Sequence, residues 1–290
     1  MRIVTLAAAI LLPVAAWAQE PSVEVTAGRR QLDYSYRFEN DSSFDTPFLV
    51  PHFFEQKYEV TGWEVTARAR YHLFGRPAAT AVSFAPDRPA FGSDFDTFFQ
   101  PDGDIATSGT AGGVDLVGFG IEQTLGLLER ERLSLATRLA WRRDRADFHP
   151  ADRVVTHTQP PSETREWTSD RERTVSNVFE TGFEARWRRG RLHVTTHASP
   201  VILARLLVQL PDKYPGRDIR FDALSWGIGG RAQLTKRIGP VTAGLWVSAE
   251  KAGSYRSSAR YGRTVLAGGV TVSVVRRSRV RSSGVLPGRF

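Results

Sequence analysis

The stretch that most constrains the fold runs from Val114 to Arg143. From Val117 the odd positions read Val117, Phe119, Ile121, Gln123, Leu125 and Leu127. The even positions read Gly118, Gly120, Glu122, Thr124 and Gly126. After the charged turn at Glu129–Arg132 the alternation resumes. Leu133, Leu135, Thr137, Leu139 and Trp141 share one face, and Ser134, Ala136, Arg138, Ala140 and Arg142 share the other. Successive strand side chains point to opposite faces, so a period of two means a strand pair with one oily and one small or polar face. Each run exceeds the ~5–6 residues of an ordinary globular strand. Long strands that carry Gly, Glu and Arg opposite their oily face predict a barrel with lipid outside and polar groups within.

The N-terminus sets the compartment. Residues 1–18 read as a cleaved signal peptide: Arg2 is the charged start, Ile3 to Ala16 the apolar stretch, and Ala16-Trp17-Ala18 a small-x-small cleavage site. No later run of apolar residues is long enough for a transmembrane helix. The chain is 41% hydrophobic, which would suit a soluble protein, but a membrane barrel looks the same because every second residue faces the lumen. There is no cysteine, which removes thiol chemistry, disulfides and Cys-ligated zinc. The formal net charge is +8. An exported chain meets anionic lipid headgroups rather than nucleic acid, so no nucleic-acid partner is expected. The expected partners are outer-membrane lipid, lipopolysaccharide and the barrel-assembly machinery, with the chain itself a monomer in the cell outer membrane. No cofactor and no metal are expected.

In chain order the pattern divides into about ten strands. Val23 to Tyr36 is the first, and its apolar set moves from Val23, Val25 and Ala27 to Leu32, Tyr34 and Tyr36, a change of phase that predicts a bulge. Phe38 to Glu55 is a predicted loop. Tyr58 to Leu73 is the second strand, Phe74–Pro77 a tight turn, and Ala78 to Ala85 a weaker third. Gly92 to Gly112 is a predicted loop, the opening hairpin supplies strands four and five, and Asp144 to Arg173 is the longest predicted loop. Strands six to ten follow within 174–188, 192–210, 219–234, 241–251 and 261–274. Pro200 interrupts the seventh, and a bulge or kink is expected there. Long connections follow strands one, three, five and seven, and short ones follow strands two, four, six and eight. The fold class is therefore an all-β, transmembrane, antiparallel up-and-down barrel of about ten strands, with long extracellular loops and short periplasmic turns. Residues 19–275 form the barrel and 276–290 a basic periplasmic tail.

The polar face carries the candidate lumen charges: Glu64, Arg68, Arg70, Glu122, Arg138, Arg142, Glu180, Glu184, Arg186, Arg205, Arg231 and Glu250. About ten strands enclose little more than side chains can fill. Unpaired charges there are costly, so the two signs should pair across the lumen. A salt-bridged plug is favoured over an open pore, which usually needs ~16 or more strands. His193 and His197 share that face roughly 13 Å apart, too far to hold one metal. Trp63, Tyr71, Trp141, Trp187, Tyr255 and Tyr261 sit near strand ends, as in an interfacial girdle.

This pattern resembles the omptins, ten-stranded outer-membrane proteases, in architecture over most of the mature chain. That resemblance implies two aspartates spaced by one residue after strand three and an Asp-x-His dyad after strand seven, together activating a water. Asp94-Phe95-Asp96 occupies the first position. The loop after strand seven reads Pro211-Asp212-Lys213-Tyr214-Pro215-Gly216, without histidine, and Asp147-Phe148-His149 instead follows strand five. Asp94, Asp96, Asp147 and His149 are thus the candidate catalytic set of an alternative reading, an omptin-like endopeptidase or a lipid A-modifying hydrolase. The preferred reading is a barrel of structural, adhesion or small-pore type, not evidently an enzyme.

Overall fold

A sheet of strands this long would expose two unpaired edges, and the chain removes both by pairing its first strand with its last. The computed structural model describes residues 22–39, 53–85, 91–99, 105–148, 152–157, 165–168, 172–214, 217–254 and 259–275. Its strands are β1 (Ser22–Glu39), β2 (Phe53–Leu73), β3 (Arg76–Ala85), β4 (Phe91–Phe99), β5 (Ile105–Glu129), β6 (Leu133–Phe148), β7 (Asp152–His157), β8 (Arg165–Thr168), β9 (Glu172–Arg189), β10 (Leu192–Tyr214), β11 (Arg217–Ile238), β12 (Val241–Gly253) and β13 (Ala259–Val275). The β1–β13 ladder runs from Ser22↔Val275 to Phe38↔Ala259 and closes the barrel. β3 and β4 are two pieces of one stave, because β2 and β5 flank both. With them counted once, the wall is a closed antiparallel barrel of ten strands. β7 and β8 form a small hairpin that, among the described residues, pairs with β5 at Ala106 and Thr107, beyond the main wall.

The faces follow the alternation. Phe119, Ile121, Leu139, Phe179, Phe183, Trp226, Ile228, Leu245 and Val270 are exposed on the outside. On β5 this band runs from Val117 to Leu127 and, at a tilt near 40°, is about 26 Å tall, close to the ~25 Å apolar band of a membrane barrel. Gln123 falls within it, and its side-chain oxygen accepts hydrogen bonds from Tyr71 (3.2 Å) and Thr80 (2.7 Å). A polar group facing lipid needs such partners, since water supplies none there. Trp63 and Trp187 are exposed towards opposite rims, and Trp141 meets Phe119 edge-on at 6.1 Å.

One end of the barrel carries the tight turns. The β2–β3 turn places Phe74 and Gly75 at φ 52 and 75, two consecutive left-handed residues that suit a two-residue hairpin. The turn ends read Arg76, Glu129-Arg130-Glu131-Arg132, Arg188-Arg189-Gly190-Arg191 and Lys236-Arg237, all exposed. This rim is therefore strongly basic.

Several expectations change. β1 has no bulge: its register with β2 and β13 is unbroken, and Leu32 and Tyr34 are buried inside the barrel. The Pro200 bulge is real, with register shifts at Ser199/Ile202 and Ala198/Val201. It inverts the phase beyond it, so Ile202, Ala204 and Leu206 point inward and Arg205 lies on the exposed face. Tyr261 is buried in the lumen, stacked on Tyr34 at a centroid distance of 6.3 Å, and does not belong to the girdle. Much of the predicted loop sequence is strand: β4 and β5 form an extended hairpin, β6 continues through Asp144 and Asp147 to Phe148, and only residues 215–216 separate β10 from β11. Tyr255, the signal peptide and the 276–290 tail lie outside the described residues.

Candidate functional site: the charged lumen

The inward face divides into layers along the barrel axis. Glycines make room for it. A Cβ on Gly118 would lie 2.5 Å from Asp144 Oδ1 and 3.0 Å from Arg30 Nη2, and one on Gly28 would lie 2.7 Å from the Trp246 ring. The small even positions of β5 are thus the space that long charged side chains occupy.

The upper charged layer centres on Asp144. Arg30 reaches it at 2.9 Å and Glu64 at 3.1 Å, while Arg142 lies 3.2 Å from Asp144 and 2.7 Å from Glu250. Arg263 pairs with Glu250 and lies 3.5 Å from Asp144. Arg30, Asp144 and Arg263 are almost fully buried. The lower layer centres on Glu122 and Glu184. Arg138 donates to Glu122 at 2.8 Å, to Glu180 at 2.7 Å and to Ser199 at 2.9 Å. Arg68 pairs with Glu122 and, at 2.9 Å, with Glu184, which also pairs with Arg186 and accepts from His197 at 2.7 Å. Nearer the turns, Arg70 donates to Glu24 at 2.7 Å, and Gln233 donates to the other Glu24 oxygen at 3.2 Å. Arg231 stacks over the inward Trp246 ring at 4.2 Å. The layers leave a cavity of about 110 Å³ between them.

Above the charges, towards the hairpin end, the inward residues turn apolar. Leu32, Val60, Leu116, Val178, Ile202 and Leu206 are each at most 1% exposed. Tyr34 crosses this level and shares a 3.3 Å hydrogen bond with Ser176. The lumen is thus filled by paired charge and capped by hydrocarbon.

Glu122, Glu184 and His197 offer donor atoms within 4.8 Å of one another, a spacing that could hold a metal ion. Arg68 already sits among them, paired to both carboxylates. The cation of this cluster is its guanidinium. His193 and His197 both point inward, and only His197 joins the network.

Of the twelve candidate lumen charges, Arg205 lies on the outer face, because the Pro200 bulge inverts its strand, and the other eleven lie on the barrel's inner face or at its turn-end mouth; ten of these form ion pairs, and Arg231 stacks on Trp246. Four members escaped the sequence reading. Arg30 was hidden by the expected bulge, and Asp144 by its assignment to a loop. Glu24 and Arg263 share the parity of inward neighbours on β1 and β13, so alternation alone could have found them.

Of the candidate hydrolytic set, the backbones of Asp94, Asp96 and Asp147 fall within the described residues. Asp94 and Asp96 lie on β4, opposite Thr110 and Ser108 of β5, while Asp147 lies on β6, opposite Asp115. β4 and β6 both flank β5, on the same side of the barrel. Two strand spacings and a five-residue offset separate the Asp94 and Asp147 backbones by about 19 Å. The Asp147 carboxylate pairs with Arg145 and, at 2.6 Å, with Arg173. His149 and Asp212's side chain lie outside the described residues.

No family model and no curated protein matches the sequence. Among solved structures the chain is similar to the outer membrane protease OmpT from Escherichia coli, with a TM-score of 0.66 and 7% identity over 89% of this chain and 97% of that one. The β domain of the Bordetella autotransporter BrkA (TM-score 0.34, 13% identity, 86% and 99% coverage) and a Pseudomonas aeruginosa FadL homologue (0.32, 8%, 90% and 92%) align far less closely. The OmpT likeness is one of fold: this chain has the architecture of the ten-stranded outer-membrane β-barrels.

Proposed function

We propose that the protein is a sealed outer-membrane barrel of the structural or adhesion type, a scaffold that holds the β4–β5 and β7–β8 hairpins above the membrane. The filled lumen carries this reading. Two layers of interlocked Arg–carboxylate pairs and an apolar layer above them occupy the cross-section that a pore would need. Arginine suits such packing because its planar fork bonds several carboxylates at once. The exposed apolar band places the wall in lipid, and export with removal of residues 1–18 would deliver it to the outer membrane. Single-channel recording in planar bilayers tests the proposal. The refolded protein should insert without stable conductance steps, and steps of reproducible size would replace the scaffold with a pore.

A further inference from the structure

We propose that the basin at the tight-turn end of the lumen binds a small, soluble, phosphate-bearing anion. Inward positions there change character. Where the middle of the barrel is packed with long charged pairs, this end is lined by short hydroxyls, among them Thr124, Thr195, Thr235, Thr242 and Ser273. They leave a cavity of about 410 Å³, nearly four times the mid-lumen gap.

Arg70, Arg186, Arg188 and Arg237 project into this space. The carboxylates beside them are largely committed. Glu24 is held by Arg70 and Gln233. Glu184 receives Arg68, Arg186 and His197, so both of its oxygens are taken, and the excess positive charge of the basin comes from Arg188 and Arg237. Glu129 meets Arg188 only at 3.7 Å, with both side chains about half exposed. Arg237 donates to the carbonyl of Gly239 in its own turn and pairs with no carboxylate among the described residues. The Nε groups of Arg70 and Arg186 are buried without a hydrogen-bond partner among those residues.

Surplus guanidinium beside converging hydroxyls fits a ligand rich in acceptors and negative charge. Phosphate oxygens match both the arginine fork and the hydroxyl donors. The basic turns around the mouth would concentrate such an anion before it enters. The 276–290 segment, with five arginines and no acidic residue, has the wrong sign to fill the basin itself. The basin lies inside the wall, so a headgroup on the outer surface would meet the rim arginines instead.

The test is calorimetric titration of pyrophosphate into the full barrel in nanodiscs of zwitterionic lipid. Saturable binding is expected. Arg237→Gln, which removes no lumen ion pair, should weaken it about tenfold or more, the worth of one charge-assisted hydrogen bond. Thr235→Val, which leaves every charge in place, should weaken it severalfold. Arg189→Gln with Arg191→Gln, on the rim, should change affinity less than threefold. Retained heat-modifiable gel migration confirms that each variant is folded. Absence of saturable binding at millimolar pyrophosphate would overturn the proposal. So would a rim variant as damaging as Arg237→Gln, which would make the basic end a surface for headgroups.

Discussion

Arg138 joins more of the lumen than any neighbour on β6, so its removal gives the sharpest energetic test. Its guanidinium makes three bonds of 2.7–2.9 Å, to Glu122, Glu180 and Ser199. Both carboxylates are mostly buried. In Arg138→Met the hydrocarbon stem survives but the charge does not. Glu122 keeps Arg68, whereas Glu180 has no second ion pair among the described residues. Three charge-assisted bonds at ~1.5–3 kcal/mol each set the gross loss, and desolvation of the arginine is recovered in return. The net cost of stranding a buried partner should be about 3–5 kcal/mol. Urea titration in lipid vesicles, read by heat-modifiable migration, measures it. Arg138→Met with Glu180→Gln should recover a good part of the loss, because the stranded charge is then gone. A single variant within about 0.5 kcal/mol of the parent, or a double variant no better than the single, would refute the claim that these charges are paired and buried.

Three further outcomes are expected. Gly118→Val should cost about 1–3 kcal/mol by overpacking, since even its Cβ would meet Asp144 and Arg30, whereas Gly75→Ala, in open space at positive φ, should show only the smaller cost of a strained turn; both are read by the same urea titration. Leu139→Arg places a charge on the lipid face at a residue 62% exposed and opposite Gln123, in the middle of the apolar band, and should cost about 2–4 kcal/mol in vesicles. Refolded protein in lipopolysaccharide should leave basic peptides intact; cleavage that disappears in His149→Ala would favour the hydrolase reading over the scaffold.

What could be read in advance followed from how regular each strand is. β5 and β6 alternate without interruption for more than ten residues, so their faces, their turn and the inward Glu122, Arg138 and Arg142 were legible from period alone. In β1 the apolar residues change parity between Ala27 and Leu32, which in a two-faced strand has the same signature as a bulge. Leu32 and Tyr34 belong instead to the hydrocarbon cap inside the lumen, a layer with no signature in a single strand. At Pro200 the sequence shows the irregularity, and one bulge flips every later side chain, which turns Arg205 out and Ile202 in. Asp144 and Asp147 looked like loop because polar residues dominate there, yet cross-strand arginines satisfy both carboxylates and allow the strand to continue.

The charge network is the inside of the barrel only while the odd-numbered face of β5 meets lipid. The most direct measurement places a nitroxide on single cysteines at consecutive positions 117–124 of β5, which the cysteine-free background permits without interference. Collision with oxygen, which concentrates in lipid, should be high at Val117, Phe119 and Ile121 and low at Gly118, Gly120 and Glu122, with a strict period of two. A flat profile, or high oxygen collision on the even positions, would contradict the account, because the charge network would then no longer be the inside of the barrel.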